Sequence, residues 1–194
     1  MSATLAPYGF IPLSHPSGQN RAMNYPIQNN AGTGYTTSIF KGDTVILNTA
    51  GYVTIGTAAA DLLGVFQGCE YTEASGKPTV SNFWPASTLL QTNSTPIAWV
   101  LDDVNTIYRV QNSTGASYAV SAIGDQADID TSVAGSTITG ISGQGVGALK
   151  GAGVQGQFRI LDLYHSLTNN WGDTYVEVEV QLARSQYITA KVAI

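Results

Sequence analysis

Tyr175-Val176-Glu177-Val178-Glu179-Val180-Gln181-Leu182 alternates apolar and polar side chains without a break. In an extended chain, successive side chains point to opposite faces. Val176, Val178, Val180 and Leu182 therefore share one face, and Tyr175, Glu177, Glu179 and Gln181 share the other. A helix would scatter the valines around its circumference. The stretch predicts a half-buried antiparallel strand with one face in water.

Working back from it, residues 36–40, 44–47, 52–55, 62–71, 80–84, 97–101 and 107–111 form short runs rich in β-branched and aromatic residues. Each is bounded by Gly, Pro, Asn, Asp or Ser. Asn48-Thr49-Ala50-Gly51 separates two of them in the manner of a hairpin loop with glycine at its left-handed position. Short strands at this cadence predict an all-β fold, an antiparallel β-sandwich or a barrel-like domain, over residues 36–194. Residues 158–165 fit least well, because Asp162 interrupts the alternation and Phe158, Leu161 and His165 would share a helical face. Residues 124–156 are rich in Gly, Ser, Thr and Ala. They read as a long Gly/Ser-rich excursion with short strands around 136–141.

Residues 1–35 read as an extended N-terminal arm. Pro7, Pro12, Pro16 and Pro26 deny it a long helix, yet Tyr8, Phe10, Ile11 and Leu13 are too apolar for a bare linker. Burying one such side chain is worth roughly 1.5–3 kcal/mol. The arm is expected to bind a partner through Tyr8, Phe10, Ile11 and Leu13, by adding to a sheet edge, or to pack on its own domain.

The unusual feature of the composition is charge. Asp, Glu, Lys and Arg make up 11% of the chain, against about a quarter in an ordinary soluble domain. Eight scattered Lys and Arg against 13 Asp and Glu leave a net charge of −5, which argues against nucleic acid as a partner. No window approaches the ~20 apolar residues that span a bilayer, so no membrane association is expected. Residues 1–7 lack the charged region and apolar run of a secretory signal. Cys69 is the only cysteine, and synthesis in a reducing cytoplasm is expected. Without a secretory signal, the sequons at Asn93 and Asn112 read as chance matches.

Four motifs invite chemistry. Gly151-Ala152-Gly153-Val154-Gln155-Gly156 spells the dinucleotide fingerprint, with Glu177 downstream. The residues before it are too glycine-rich for a buried strand, and no alternating strand–helix pattern surrounds it, so no cofactor is expected. Asp125, Asp128 and Asp130 could hold a cation but lack the glycine and terminal glutamate of a calcium loop. They read as a solvated turn. His15 and His165 join no catalytic motif, and His15 beside Pro16 is a poor platform. A spatial Ser/His/Asp triad stays open, because triads assemble across long separations. Trp84, Trp99 and Trp171 could stack a sugar, although such residues more often pack in a core.

Gly9-Phe10-Ile11-Pro12, Lys41-Gly42-Asp43-Thr44-Val45, Gly51-Tyr52-Val53, Leu63-Gly64-Val65-Phe66-Gln67-Gly68, Val100-Leu101-Asp102-Asp103 and Tyr108-Arg109-Val110-Gln111 together resemble the capsid decoration (cement, or head-stabilising) proteins of tailed bacteriophages. Gly140-Ile141-Ser142-Gly143, Phe158-Arg159-Ile160-Leu161 and the 175–180 strand extend the likeness. The resemblance is diffuse and covers most of residues 9–187. It implies a β-rich virion protein, not an enzyme, on the outer capsid surface. Its partners would be the major capsid protein and copies of itself, as a homotrimer. A phage tail or fibre component that binds host carbohydrate is the alternative. A small hydrolase or cofactor-binding enzyme is a third, more distant one.

Overall fold

The computed structural model describes residues 4–188. Two main antiparallel sheets dominate it. The first runs β1 (Ile11–Ser14), β10 (Ile107–Gln111), β14 (Glu177–Leu182), β13 (Phe158–Leu163), β11 (Gln126–Asp130), β12 (Gly145–Leu149). The second runs β2 (Met23–Pro26), β9 (Ile97–Leu101), β7 (Gly64–Thr72), β5 (Thr44–Leu47), β6 (Val53–Ile55), and β8 (Pro78–Ser81) pairs with β7. A two-stranded ribbon, β3 (Asn29–Asn30) and β4 (Thr33–Gly34), lies apart. Among the described residues the helical content is one short 3-10 turn, Val120–Ala122.

Each sheet curls back until its last strand meets one at or next to its start, which gives the sandwich a barrel-like character. Asn112, just past β10, bridges Val146 of β12, and Ile27, just past β2, bridges Val53 of β6. Closure of this kind leaves few unpaired strand edges. Two cores follow. Phe10, Tyr108, Phe158, Ile160, Val178 and Val180 fill the first, and Leu62, Val65 and Leu101 reach into it from the second sheet. Ile27, Val45, Val53, Phe66, Trp84 and Val100 fill the second. Neighbours in sequence, Val65 and Phe66 or Val100 and Leu101, thus serve different cores. The second sheet is buried on both faces there, which is why residues 62–66 read as an unbroken apolar run. Strand β14 alternates between buried and half-exposed along its whole length, as the valine pattern requires.

The strands at 97–101 and 107–111 form where the pattern puts them. The 48–51 hairpin closes through Gly51 at φ 82° and through the Asn48 side chain, which accepts bonds from the Ala50 and Tyr52 amides. Residues 158–163 are a strand, and the break at Asp162 is a register shift against β14 between Ile160 and Asp162. A bulge absorbs the residue that spoils the alternation. Two expectations fail. Residues 36–40 form no strand beyond one bridge from Ile39 to Trp84, and residues 136–141 form a tight turn in place of short strands. Residues 124–156 carry β11 and β12 near their two ends, so the loop character falls at 131–144 and 150–157.

The segment read as an arm lies along its own domain. The Gln111 side chain accepts a bond from the Ala6 amide and donates one to the Thr4 carbonyl. Phe10 is 1% exposed and stacks on Phe158 with ring centres 4.3 Å apart. Residues 11–14 then pair with β10, and residues 23–26 pair with β9 in the other sheet. The four prolines keep the segment extended, and an extended segment with an aromatic anchor satisfies its backbone most cheaply on the nearest open strand. Here that strand is β10. Phe10→Ala is expected to cost about 3–5 kcal/mol, read as a lower urea midpoint with an unchanged slope.

Candidate functional site

Three segments remote in sequence converge where the two sheets meet. Gly9 precedes β1, Gly42-Asp43 precedes β5, and Ser142 and Gln144 precede β12. The Phe10 amide donates to the Gly42 carbonyl at 2.9 Å and the Gly9 amide to the Gln144 carbonyl at 3.1 Å. Lys41 and Ser142 exchange further bonds with residues 140–142 and 41. A Cβ on Gly9, which sits at φ +77°, would fall 2.5 Å from the Ser142 Cβ and 2.7 Å from the Gly42 oxygen. Only glycine allows this approach.

Asp43 is the polar centre of the junction. Its carboxylate accepts bonds from the Phe40 amide at 2.7 Å and from the Ser142 hydroxyl. The Gln144 side-chain oxygen accepts both the amide and the hydroxyl of Thr44, each at 2.9 Å. Burial pushes the Asp43 carboxyl up to about 6, against the opposing pull of its Ser142 and Phe40 bonds.

Beside this junction opens an apolar cleft of about 330 Å³, walled by Tyr8, Phe10, Ile11, Pro12, Gln67 and Ile141. The Gln67 amide nitrogen is buried there without a hydrogen-bond partner. Tyr8 is fixed from behind. Its ring lies 5.2 Å from the Arg109 guanidinium carbon, which also stacks on Tyr164 at 4.0 Å and binds Glu177 at 2.6 Å. Burial, reinforced by the facing Glu177 carboxylate, holds the Tyr8 phenol neutral far above its ordinary range. Of the four residues expected to bind a partner, Phe10 is spent on the core and Tyr8 on the Arg109 stack. Ile11 and Leu13 stand out from the strand edge at 44% and 40% exposure, with Ile141 at 43% on the cleft rim.

A second, polar depression of about 260 Å³ is lined by His15, Ser17, Gln19, Arg21, Asp102 and Asp103. The turn His15-Pro16-Ser17-Gly18 follows β1 and closes through the Gly18 amide to the His15 carbonyl at 2.8 Å. Pro at its second position and Gly18 at φ +78° suit that geometry. The turn stands against the loop after β9. There the Asn105 amide and the His15 ring both bond the Asp103 carboxylate and hold it below the usual range.

The other candidates separate. Asp128 and Asp130 belong to β11 rather than to a solvated turn. Lys150 binds Asp128 at 2.7 Å, and Asp130 takes bonds from Ser113 and Ser132. No group of three potential metal ligands occurs among the described residues. The 151–156 glycine motif joins strand β12 to strand β13, so no helix N-terminus faces it. Trp84 is fully buried, with its indole nitrogen donating to the Tyr35 carbonyl, and Trp171 packs on the first core. Among the described residues no helix is long and apolar enough to cross a membrane. The sequence did not reveal that Gly9, Gly42, Ser142 and Gln144 belong together. Glycines beside a lone Asp look like ordinary turns until their partners are known.

No family model matches the chain, and neither a curated protein nor a solved structure matches it.

Asp43 makes the stability of the fold depend on pH. Its carboxyl ionises near pH 3.8 in the unfolded chain and near 6 in the fold, so the fold holds a proton that the unfolded chain has lost between those values. Stability therefore falls as pH rises from about 4 to 6 and is level above, by up to roughly 3 kcal/mol. Asp43→Asn keeps the shape and removes the titration. The melting temperature of the variant, relative to wild type, is expected to rise between pH 4 and pH 7.

Proposed function

We propose that the chain is a structural virion protein that binds the outer surface of a phage capsid and stabilises contacts between major capsid subunits. It would act as a homotrimer, as its resemblance to capsid decoration proteins implies. The observation that carries the reading is an exposed apolar rim, Ile11 and Ile141 at the cleft with Leu13 exposed farther along the same strand. It is held on a strand edge and a braced turn, so little ordering entropy is lost when a partner covers it. Each of these side chains is already more than half buried, so covering one contributes on the order of 1 kcal/mol. The low charge of the chain, 11% of residues, keeps the desolvation cost of a broad contact small. On this reading Ile11 and Leu13 touch the shell, while Tyr8 and Phe10 support them from beneath.

The test is to titrate purified protein onto phage heads assembled without a decoration protein. Saturable binding in a fixed ratio to capsid subunits is expected, with a trimer mass by sedimentation. Ile11→Ser with Ile141→Ser is expected to weaken binding roughly 30-fold while leaving the melting temperature within a few degrees. Absence of saturable binding by the wild-type chain would contradict the proposal.

A further inference from the structure

We propose that Ser17 is a nucleophile that accepts the acyl group of small carboxylic esters, with His15 as its base and Asp103 as the residue that positions the imidazole. This is independent of capsid binding.

The hydrogen bonds fix the protonation of the ring. The Ser17 backbone amide points at His15 Nδ1 from 3.1 Å. An amide can only donate, so Nδ1 carries a lone pair and the ring proton sits on Nε2. That proton is directed at Asp103 Oδ2, 3.0 Å away. The Ser17 Oγ lies 2.6 Å from the same Nδ1. Two lone pairs would repel at that distance, so the hydroxyl proton lies between them, and the Gln19 carbonyl at 3.4 Å is the poorer acceptor. Serine, base and carboxylate thus stand in the order that nucleophilic catalysis requires. Asp103 is itself held in place, because its other oxygen accepts the Asn105 amide at 2.8 Å and the Asn105 side chain at 3.0 Å.

This arrangement does more than brace the turn. The bond from Gly18 to the His15 carbonyl already closes it, so the ring's contacts with Ser17 and Asp103 are additional. The His15 side chain is 13% exposed, and Ser17 faces solvent in a depression large enough for a short acyl chain. Arg21 lines the same depression, and on this proposal its positive charge is the one that offsets an oxyanion formed there.

The chemistry balances without any further reagent. Ser17 Oγ bonds to the ester carbonyl carbon as its proton passes to His15 Nδ1. The bond from that carbon to the alcohol oxygen breaks, and the alcohol leaves with the proton. Water then adds to the acyl carbon and gives a proton to Nδ1. Ser17 recovers that proton as the carboxylic acid departs. Asp103 offsets the positive charge of the imidazolium in both halves. An ester is the fitting class because its alkoxide leaving group needs less assistance than an amine, and the site is open to water.

The test treats the full chain with a short alkyl fluorophosphonate and maps the adduct by mass spectrometry. One adduct on Ser17 is expected, together with turnover of p-nitrophenyl butyrate that Ser17→Ala abolishes. His15→Gln should slow labelling roughly 100-fold. Asp103→Asn should lower the maximal labelling rate without changing the probe concentration that gives half of it, a split that a merely structural contact would not produce. Unchanged far-ultraviolet circular dichroism certifies each variant. A wild-type chain that takes no adduct at Ser17, or an adduct that forms as fast in His15→Gln, overturns the proposal.

Discussion

The close approach of Gly9 to Gly42 and Ser142 is the constraint on which the rest of the structure depends. Each of those residues stands just ahead of a strand, two of them in the first sheet and one in the second. A side chain at Gly9 would overlap the other two segments, and without their backbone bonds the amides of Gly9 and Phe10 would be buried unpaired. From this position Phe10 enters the first core and stacks on Phe158. Asp43 then makes the junction conditional on pH, because its charge is costly in a site that excludes water.

A second junction mirrors the first across the sheets. Gln157 donates to the carbonyls of Thr57 and Ala60, accepts the Ile129 amide, and offers its own carbonyl to Ala183 and Arg184. In both places a buried glutamine joins segments from different sheets beside a buried carboxylate, Asp43 at the first and at the second Asp128, which accepts the Gln157 backbone amide. The glutamine suits a chain with few charges, since its amide satisfies several backbone groups at once without adding a charge.

Much of the fold was legible because its strands obey a local rule. Alternation marked β14, β-branched runs between turn residues marked β9 and β10, and the 48–51 loop announced its hairpin. What was hidden depends on long-range pairing. Residues 36–40 have strand chemistry but find only one bridge, from Ile39 to the backbone of Trp84, a pairing partner 45 residues away that no local pattern announces. The N-terminal segment gave honest local information, namely that it is extended and apolar, but the identity of its partner strand lay about a hundred residues away. The cleft was half legible: Tyr8, Phe10 and Ile11 stood out as costly in water, whereas Ile141 lay in a stretch dominated by Gly and Ser. The Ser17–His15–Asp103 relay was out of reach, since nothing local ties a proline-containing turn to an aspartate 88 residues on. The two proposed roles differ in kind: an apolar rim on a firmly held edge suits a shell contact, which needs area, and the polar turn would need only a small molecule.

The N-terminal segment is a stave of its own domain, paired with β10 and bonded to Gly42 and Gln144, not a loose arm that acquires structure on a partner. Native-state hydrogen exchange on the free protein tests this most directly. The Gly9 and Phe10 amides, which bond Gln144 and Gly42, are predicted to exchange as slowly as those of Val178 and Val180 in β14, through global unfolding alone. Exchange of Gly9 and Phe10 at the rate of an unstructured chain, while β14 stays protected, would contradict it.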